Sequence, residues 1–243
     1  MKQHIDTIPV WDAYRSDCEC PLCALRRKNE ESYVENFLGA SVMEPNHRVE
    51  VNEKGFCSRH FKLMFDAGNR LGLALMTDTY MKRTMERLAE TAKRATAEAA
   101  GRRPLFGRGK GGGLEACADE ISAIAHSCVF CERLDEVMAR YVYTLVYLYK
   151  HESDFRAALG ASKGFCLEHY AQVLRAAPEQ LSGSELSAFV ELVVKLESEN
   201  LTRVEKDLEW FTLKFDYRNR DKPWGNSQDA VERSINKMRG NSV

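Results

Sequence analysis

Cysteine and histidine fall into two kinds of short cluster in this chain, and each kind occurs twice. Cys20-Pro-Leu-Cys23 and Cys128-Val-Phe-Cys131 are Cys-x-x-Cys pairs, while Cys57-Ser-Arg-His60 and Cys166-Leu-Glu-His169 are Cys-x-x-His pairs. The first spacing lets two thiolates converge on one ion from a single turn of backbone. The second puts a thiolate and an imidazole on the same face of a helical turn. One pair of each kind makes a closed Cys3His shell of soft and borderline donors, which suits zinc. The expected ligands are therefore Cys20, Cys23, Cys57, His60, Cys128, Cys131, Cys166 and His169, holding two zinc ions. An iron–sulfur cluster is the alternative centre. A thiol-based redox sensor or oxidoreductase is the alternative activity, with Cys20 or Cys23 attacking as a thiolate from a helix start.

The order of the pairs points to an internal repeat. Lys-Gly-Phe precedes both Cys57 and Cys166, and the offset between copies is 108 at the first pair (20 to 128) and 109 at the second (57 to 166). A period this long means two copies of a whole subdomain. Pairing of ligands within each copy is the simplest arrangement, and interleaving between copies is the alternative. The expected division is a first metal-binding repeat over 1–100, a flexible Gly/Arg linker over 101–113, a second repeat over 114–221 and a tail with a short helix over 222–243.

The elements that must position these ligands read as helical, so the fold class is all-α: two pseudo-repeated helical subdomains, long helices and a docked C-terminal tail. Apolar residues between Cys23 and Met43 recur at helical intervals until Pro45, and Val137, Tyr141, Leu145 and Leu148 do the same in the second copy. Short helices are expected over 58–67 and 167–177, long ones over 71–99 and about 184–216, and a last one capped by Ser227 and ended by Gly240. Pro21 suits a first helical turn, and Gly55 and Gly164 allow a tight bend before the third ligand of each set. No run of alternating strand residues stands out.

Other residues carry less. Cys18, Cys117 and His126 read as spectators near the ligand pairs, and His4, His47 and His151 have no counterpart in the other copy. Gly160-Ala-Ser162-Lys-Gly164 matches the nucleophile elbow of hydrolases but lacks a preceding strand, so Ser162 is not read as catalytic. The glycine run at 107–113 lacks the order of a phosphate-binding loop. The tyrosines at 141, 143, 147 and 149 cannot all share one helix face; most of that face reads as core, with part left for a pocket or partner.

With 35 Lys plus Arg against 36 Asp plus Glu, no net field favours nucleic acid or an anionic membrane, and 44% hydrophobic content suffices for a core. No signal-peptide core or membrane-length apolar run is read, so a cytoplasmic location is expected. In a reducing compartment, clustered cysteines hold metal or do thiol chemistry more often than they form disulfides.

Beyond the cysteine blocks, the C-terminal Lys214-Phe-Asp-Tyr-Arg218 and Pro223-Trp-Gly-Asn-Ser-Gln-Asp-Ala230 segments, with Arg233, form a distinctive signature. Together these motifs resemble an uncharacterised bacterial family, a domain of unknown function. The resemblance covers most of the chain, lapses over 101–113, and implies no reaction. Phe211, Phe215, Tyr217 and Trp224 make the tail aromatic enough to dock on the body, and Asp216, Arg218 and Arg220 beside them are surface charge or the frame of a polar site. The reading is a zinc-stabilised helical protein that acts by binding a protein partner or another copy of itself, with catalysis not expected from closed metal shells.

Overall fold

A computed structural model describes residues 3–100 and 113–240; the expected linker at 101–113 lies outside them except for Gly113. Among the described residues there are eleven α-helices, two single-turn 3-10 segments and no strands. In chain order the helices are α1 (Gln3–Arg15), α2 (Pro21–Leu38), α3 (Pro45–Lys54), α4 (Ser58–Asp66), α5 (Arg70–Ala99) and α6 (Leu114–His126). They continue as α7 (Val129–His151), α8 (Ser153–Ala161), α9 (Leu167–Ala176), α10 (Gly183–Leu213) and α11 (Ala230–Arg239). The all-α reading holds.

Several boundaries move for local reasons. The helix expected to run to Met43 stops at Leu38, and Pro45 opens α3 rather than merely ending what precedes it. A proline at the first helical position gives up an N–H that would have no partner there anyway. α5 begins where the Asn69 side chain accepts from the Gly72 N–H at 3.0 Å. α11 starts at Ala230, not beside Ser227, whose buried hydroxyl instead donates to the Trp224 carbonyl.

The chain divides into two compact units, one from residues of 1–29 and 136–243 and the other from residues of 30–135. This division differs from the sequence halves 1–100 and 114–221. In unit one, α1 packs on α8, and α10 packs on α8 and α11, with α9 also against α11. Its core includes Leu22, Leu25, Leu145, Leu148, Phe155, Phe165, Val173, Phe189 and Val193. Tyr141 and Tyr149 of α7 are buried here while Tyr143 faces out, as a helical face requires. In unit two, α5 packs against α3, α4 and α6. Phe130 is fully buried there, edge-on to Phe37 and Phe56 with centroids 4.8 Å away in both cases. Burial of such a ring stabilises by roughly 1.5–3 kcal/mol. Since Phe130 lies between Cys128 and Cys131, this ligand pair is built into the core of its unit. Among the described residues no helix is long and apolar enough to cross a membrane.

Candidate metal centres

All eight Cys and His residues singled out by spacing come together, in two groups of four. Group one is Cys20, Cys23, Cys166 and His169; group two is Cys57, His60, Cys128 and Cys131. Each group therefore takes its Cys-x-x-Cys from one sequence copy and its Cys-x-x-His from the other. Pairing within a copy gives way to interleaving, and each group lies wholly inside one compact unit.

The ligand atoms converge. In group one, His169 Nδ1 lies 3.5 Å from Cys20 Sγ, 3.3 Å from Cys23 Sγ and 3.2 Å from Cys166 Sγ, and the Cys23 and Cys166 sulfurs are 3.5 Å apart. In group two, His60 Nδ1 lies 3.2 Å from the sulfurs of Cys57 and Cys128 and 3.5 Å from that of Cys131, and Cys57 and Cys131 are 3.8 Å apart at sulfur. A tetrahedral ion with bonds near 2.3 Å to sulfur and 2.0 Å to nitrogen places its ligand atoms roughly 3.5–3.8 Å from one another. Donor set and edge lengths both fit one such ion per group.

Helix starts do the positioning. Cys57 and Cys166 are the N-cap residues of α4 and α9, and Cys20 and Cys128 immediately precede the first residues of α2 and α7. Each group thus gathers sulfurs at two helix N-termini, where unpaired N–H groups and the positive end of the dipole favour thiolate. The Cys23 N–H points at Cys20 Sγ, 3.4 Å away. In unit two the loops are also tied directly, since the Val129 N–H donates to the Gly55 carbonyl at 3.1 Å and the Ser127 hydroxyl to the Lys54 carbonyl at 2.7 Å.

Gly55 and Gly164 take positive φ, 61° and 78°, before the third ligand of each set, as the bend requires. Space forbids a side chain as well. A Cβ on Gly55 would sit 2.3 Å from the Tyr80 ring, and one on Gly164 would sit 2.7 Å from Glu197 Oε2.

The electrostatics describe cages that hold protons where a cation would fit. The Cys166 thiol is pushed strongly down because Cys20 and Cys23 direct hydrogen bonds at it, while burial pushes Cys20 up. In group two, burial opposes ionisation of Cys128, but hydrogen bonds from His60 and from the N–H groups of Cys131 and Cys57 prevail and bring it down to about 6. Burial, then the charge on Cys128, pushes Cys131 up. Burial also opposes the charge on His60, yet Cys128 and Glu30 raise it to about 9. A metal ion would displace these protons.

Spacing did not reveal the side chains that support the ligands. His60 Nε2 lies 2.9 Å from Glu30 Oε1, and Arg59 clasps the same carboxylate with contacts of 2.9 and 2.8 Å. Burial alone would raise the Glu30 carboxyl, but His60 and Arg59 hold it down at about 2. Beside group one, buried Lys237 donates to the carbonyls of Lys163 and Phe165, the latter at 3.1 Å, and buried Glu197 accepts the Phe165 N–H at 2.9 Å. Opposite charges thus clamp the loop that delivers Cys166.

The remaining candidates have local roles. Cys18 and Cys117 belong to neither group, and His126 is exposed with Nδ1 2.7 Å from the Ser122 carbonyl. Ser162 closes the end of α8, its hydroxyl donating to the Leu159 carbonyl at 2.8 Å. In the tail signature, Lys214 Nζ donates to the carbonyls of Asn219 and Arg220, Trp224 packs on Phe211, and Arg233 pairs with Asp207 and Asp229. Asp216 pairs with Arg218 at the surface. These contacts organise the chain around α10 and α11.

Fold and site together define an all-helical protein with two Cys/His groups able to hold metal ions. The chain belongs to a family of unknown function (DUF6062), whose family model matches residues 1–243. No curated protein and no solved structure matches it.

Proposed function

We propose that both groups are structural zinc sites, and that this protein acts in a reducing compartment by binding a partner through a helical surface that the zinc ions hold in shape. One observation carries the reading: eight ligands form two four-atom cages, each with its ligand atoms within 4.8 Å of one another. That suits one ion per cage better than a cluster of several irons. Cys20, Cys23, Cys57, Cys128, Cys131 and Cys166 would supply thiolates, and His60 and His169 would bind through Nδ1. Zinc would supply cross-linking, so that its binding free energy adds to folding free energy. Dithiol chemistry at Cys20 and Cys23 is disfavoured because both are buried, at 6% and 4% exposure. For the binding role, α5 exposes Met81, Met85 and Leu88 at helical spacing along one face.

Elemental analysis of anaerobically purified protein tests the metal reading. It should give two zinc ions per chain. Iron with visible absorption, or less than one metal of any kind, would overturn it.

A further inference from the structure

The two groups share a ligand set and differ in access. All four ligands of group one are buried, with Cys166 at 0% and His169 at 3% exposure. Gly240, at the end of α11, covers them: a Cβ there would come within 3.8 Å of the sulfurs of both Cys23 and Cys166. In group two, His60 and Cys128 are buried, whereas Cys57 and Cys131 are half-buried and reachable from solvent. The sulfurs of these two partly exposed residues are also neighbours, 3.8 Å apart. Arg59, whose side chain is 54% exposed, stands beside both.

We propose that Cys57 and Cys131 form a peroxide-sensitive pair, whose oxidation to a disulfide opens group two and releases its metal while group one is retained. The release step rests on the zinc reading above; the selectivity between thiols does not. In the first step one of the two thiolates attacks an oxygen of hydrogen peroxide. An S–O bond forms, the O–O bond breaks, and the departing hydroxide takes a proton from solvent to become water. The second thiolate then attacks the sulfur of the resulting sulfenic acid. An S–S bond forms, the S–O bond breaks, and a second hydroxide leaves and is protonated. Two electrons pass from the two sulfurs to peroxide, and two waters are produced.

Closing the pair brings the sulfurs from 3.8 Å to roughly 2 Å. It leaves only Cys128 and His60 of the four ligands, too few for a closed zinc shell. Because Cys128 and Phe130 belong to the core of unit two, loss of this metal also loosens that unit. The spare thiols are placed differently. Cys117 is buried in α6, and half-buried Cys18 has Ser16 Oγ at 3.5 Å and belongs to neither group.

The test is a hydrogen peroxide titration of the zinc-loaded full chain, with release followed by a chelating dye and thiols mapped by alkylation and peptide mass. A Cys18→Ser/Cys117→Ser variant, which leaves every proposed ligand in place, is run in parallel. The expected result in both proteins is loss of one of the two zinc ions together with a Cys57–Cys131 linked peptide, reversed by dithiothreitol and added zinc. Cys20, Cys23 and Cys166 should become alkylatable only on unfolding. The proposal is overturned if both metals leave together, if the first disulfide involves Cys20, Cys23 or Cys166, or if Cys57 and Cys131 stay reduced while other thiols oxidise. Zinc is measured before peroxide is added: fewer than two ions defeats the zinc reading, and the thiol map still decides the pair.

Discussion

His60 Nε2 faces Glu30 Oε1 across 2.9 Å, while the other ring nitrogen, Nδ1, faces the three sulfurs of group two. With a metal on Nδ1, a carboxylate in that place would fix the tautomer, the Nε2–H donating a hydrogen bond to Glu30 and the Nδ1 lone pair left for the metal. It also holds the ring plane and raises the basicity of the ligand.

Replacing Glu30 with Gln should therefore weaken metal at group two and spare group one. The expected drop in zinc affinity is about 10–100-fold, the usual effect of losing such an outer partner. Competition with a chromophoric chelator measures it, and equal weakening of both sites would count against the orienting role.

Interleaving makes a prediction that pairing within a sequence copy does not. Cys20→Ser/Cys166→Ser removes two ligands of one group and should leave one zinc per chain, whereas Cys20→Ser/Cys57→Ser damages both groups and should leave none. Metal analysis of the two double variants, alongside the wild type, gives the comparison directly. Circular dichroism shows whether each variant remains helical.

Gly55→Ala should destabilise unit two by more than about 1 kcal/mol, because the backbone there needs positive φ. Part of the cost comes from Tyr80, whose ring a Cβ would meet at 2.3 Å. Combining Gly55→Ala with Tyr80→Ala should then give a loss smaller than the sum of the single losses, read from urea midpoints. Strict additivity would mean that backbone strain alone sets the cost.

Lys237→Met keeps the length of the side chain and removes its ammonium. The carbonyls of Lys163 and Phe165 lose a donor, and Glu197 loses its nearby positive charge. A loss of about 2 kcal/mol or more is expected from leaving buried acceptors unpaired. Chemical denaturation of the zinc-loaded protein measures it, and faster zinc release from group one should accompany it.

Much of the site was legible because its geometry is short-range. Cys166 caps α9 and His169 lies in its first turn, so their 3.2 Å approach is made within four residues of chain. The Gly-before-Phe bend at 55 and 164 is likewise a local backbone requirement, and both glycines do take positive φ. Glu30 was not legible. It stands beside Glu31 on the same helix with the same side chain, and its burial and its contacts with His60 and Arg59 set it apart. Lys237 and Glu197 were hidden for the same reason, since charged residues on helices normally face water. Four helices also went unread. α3 is short and begins at a proline that reads as a stop, while α1, α6 and α8 are of 13, 13 and 9 residues. Helices so short depend on packing more than on propensity for their stability.

By itself the sequence determined which Cys and His residues could serve as ligands, the helical class and the bends at Gly55 and Gly164, because each rests on chemistry within a few residues of chain. Only the tertiary structure decided which Cys-x-x-Cys meets which Cys-x-x-His, which carboxylate faces His60, and which two cysteines of the groups stay partly exposed. Those are meetings between segments up to 149 residues apart. They follow from how the start of α2 meets the start of α9, and the start of α4 that of α7, at the two Cys/His groups, and spacing along the chain does not encode them.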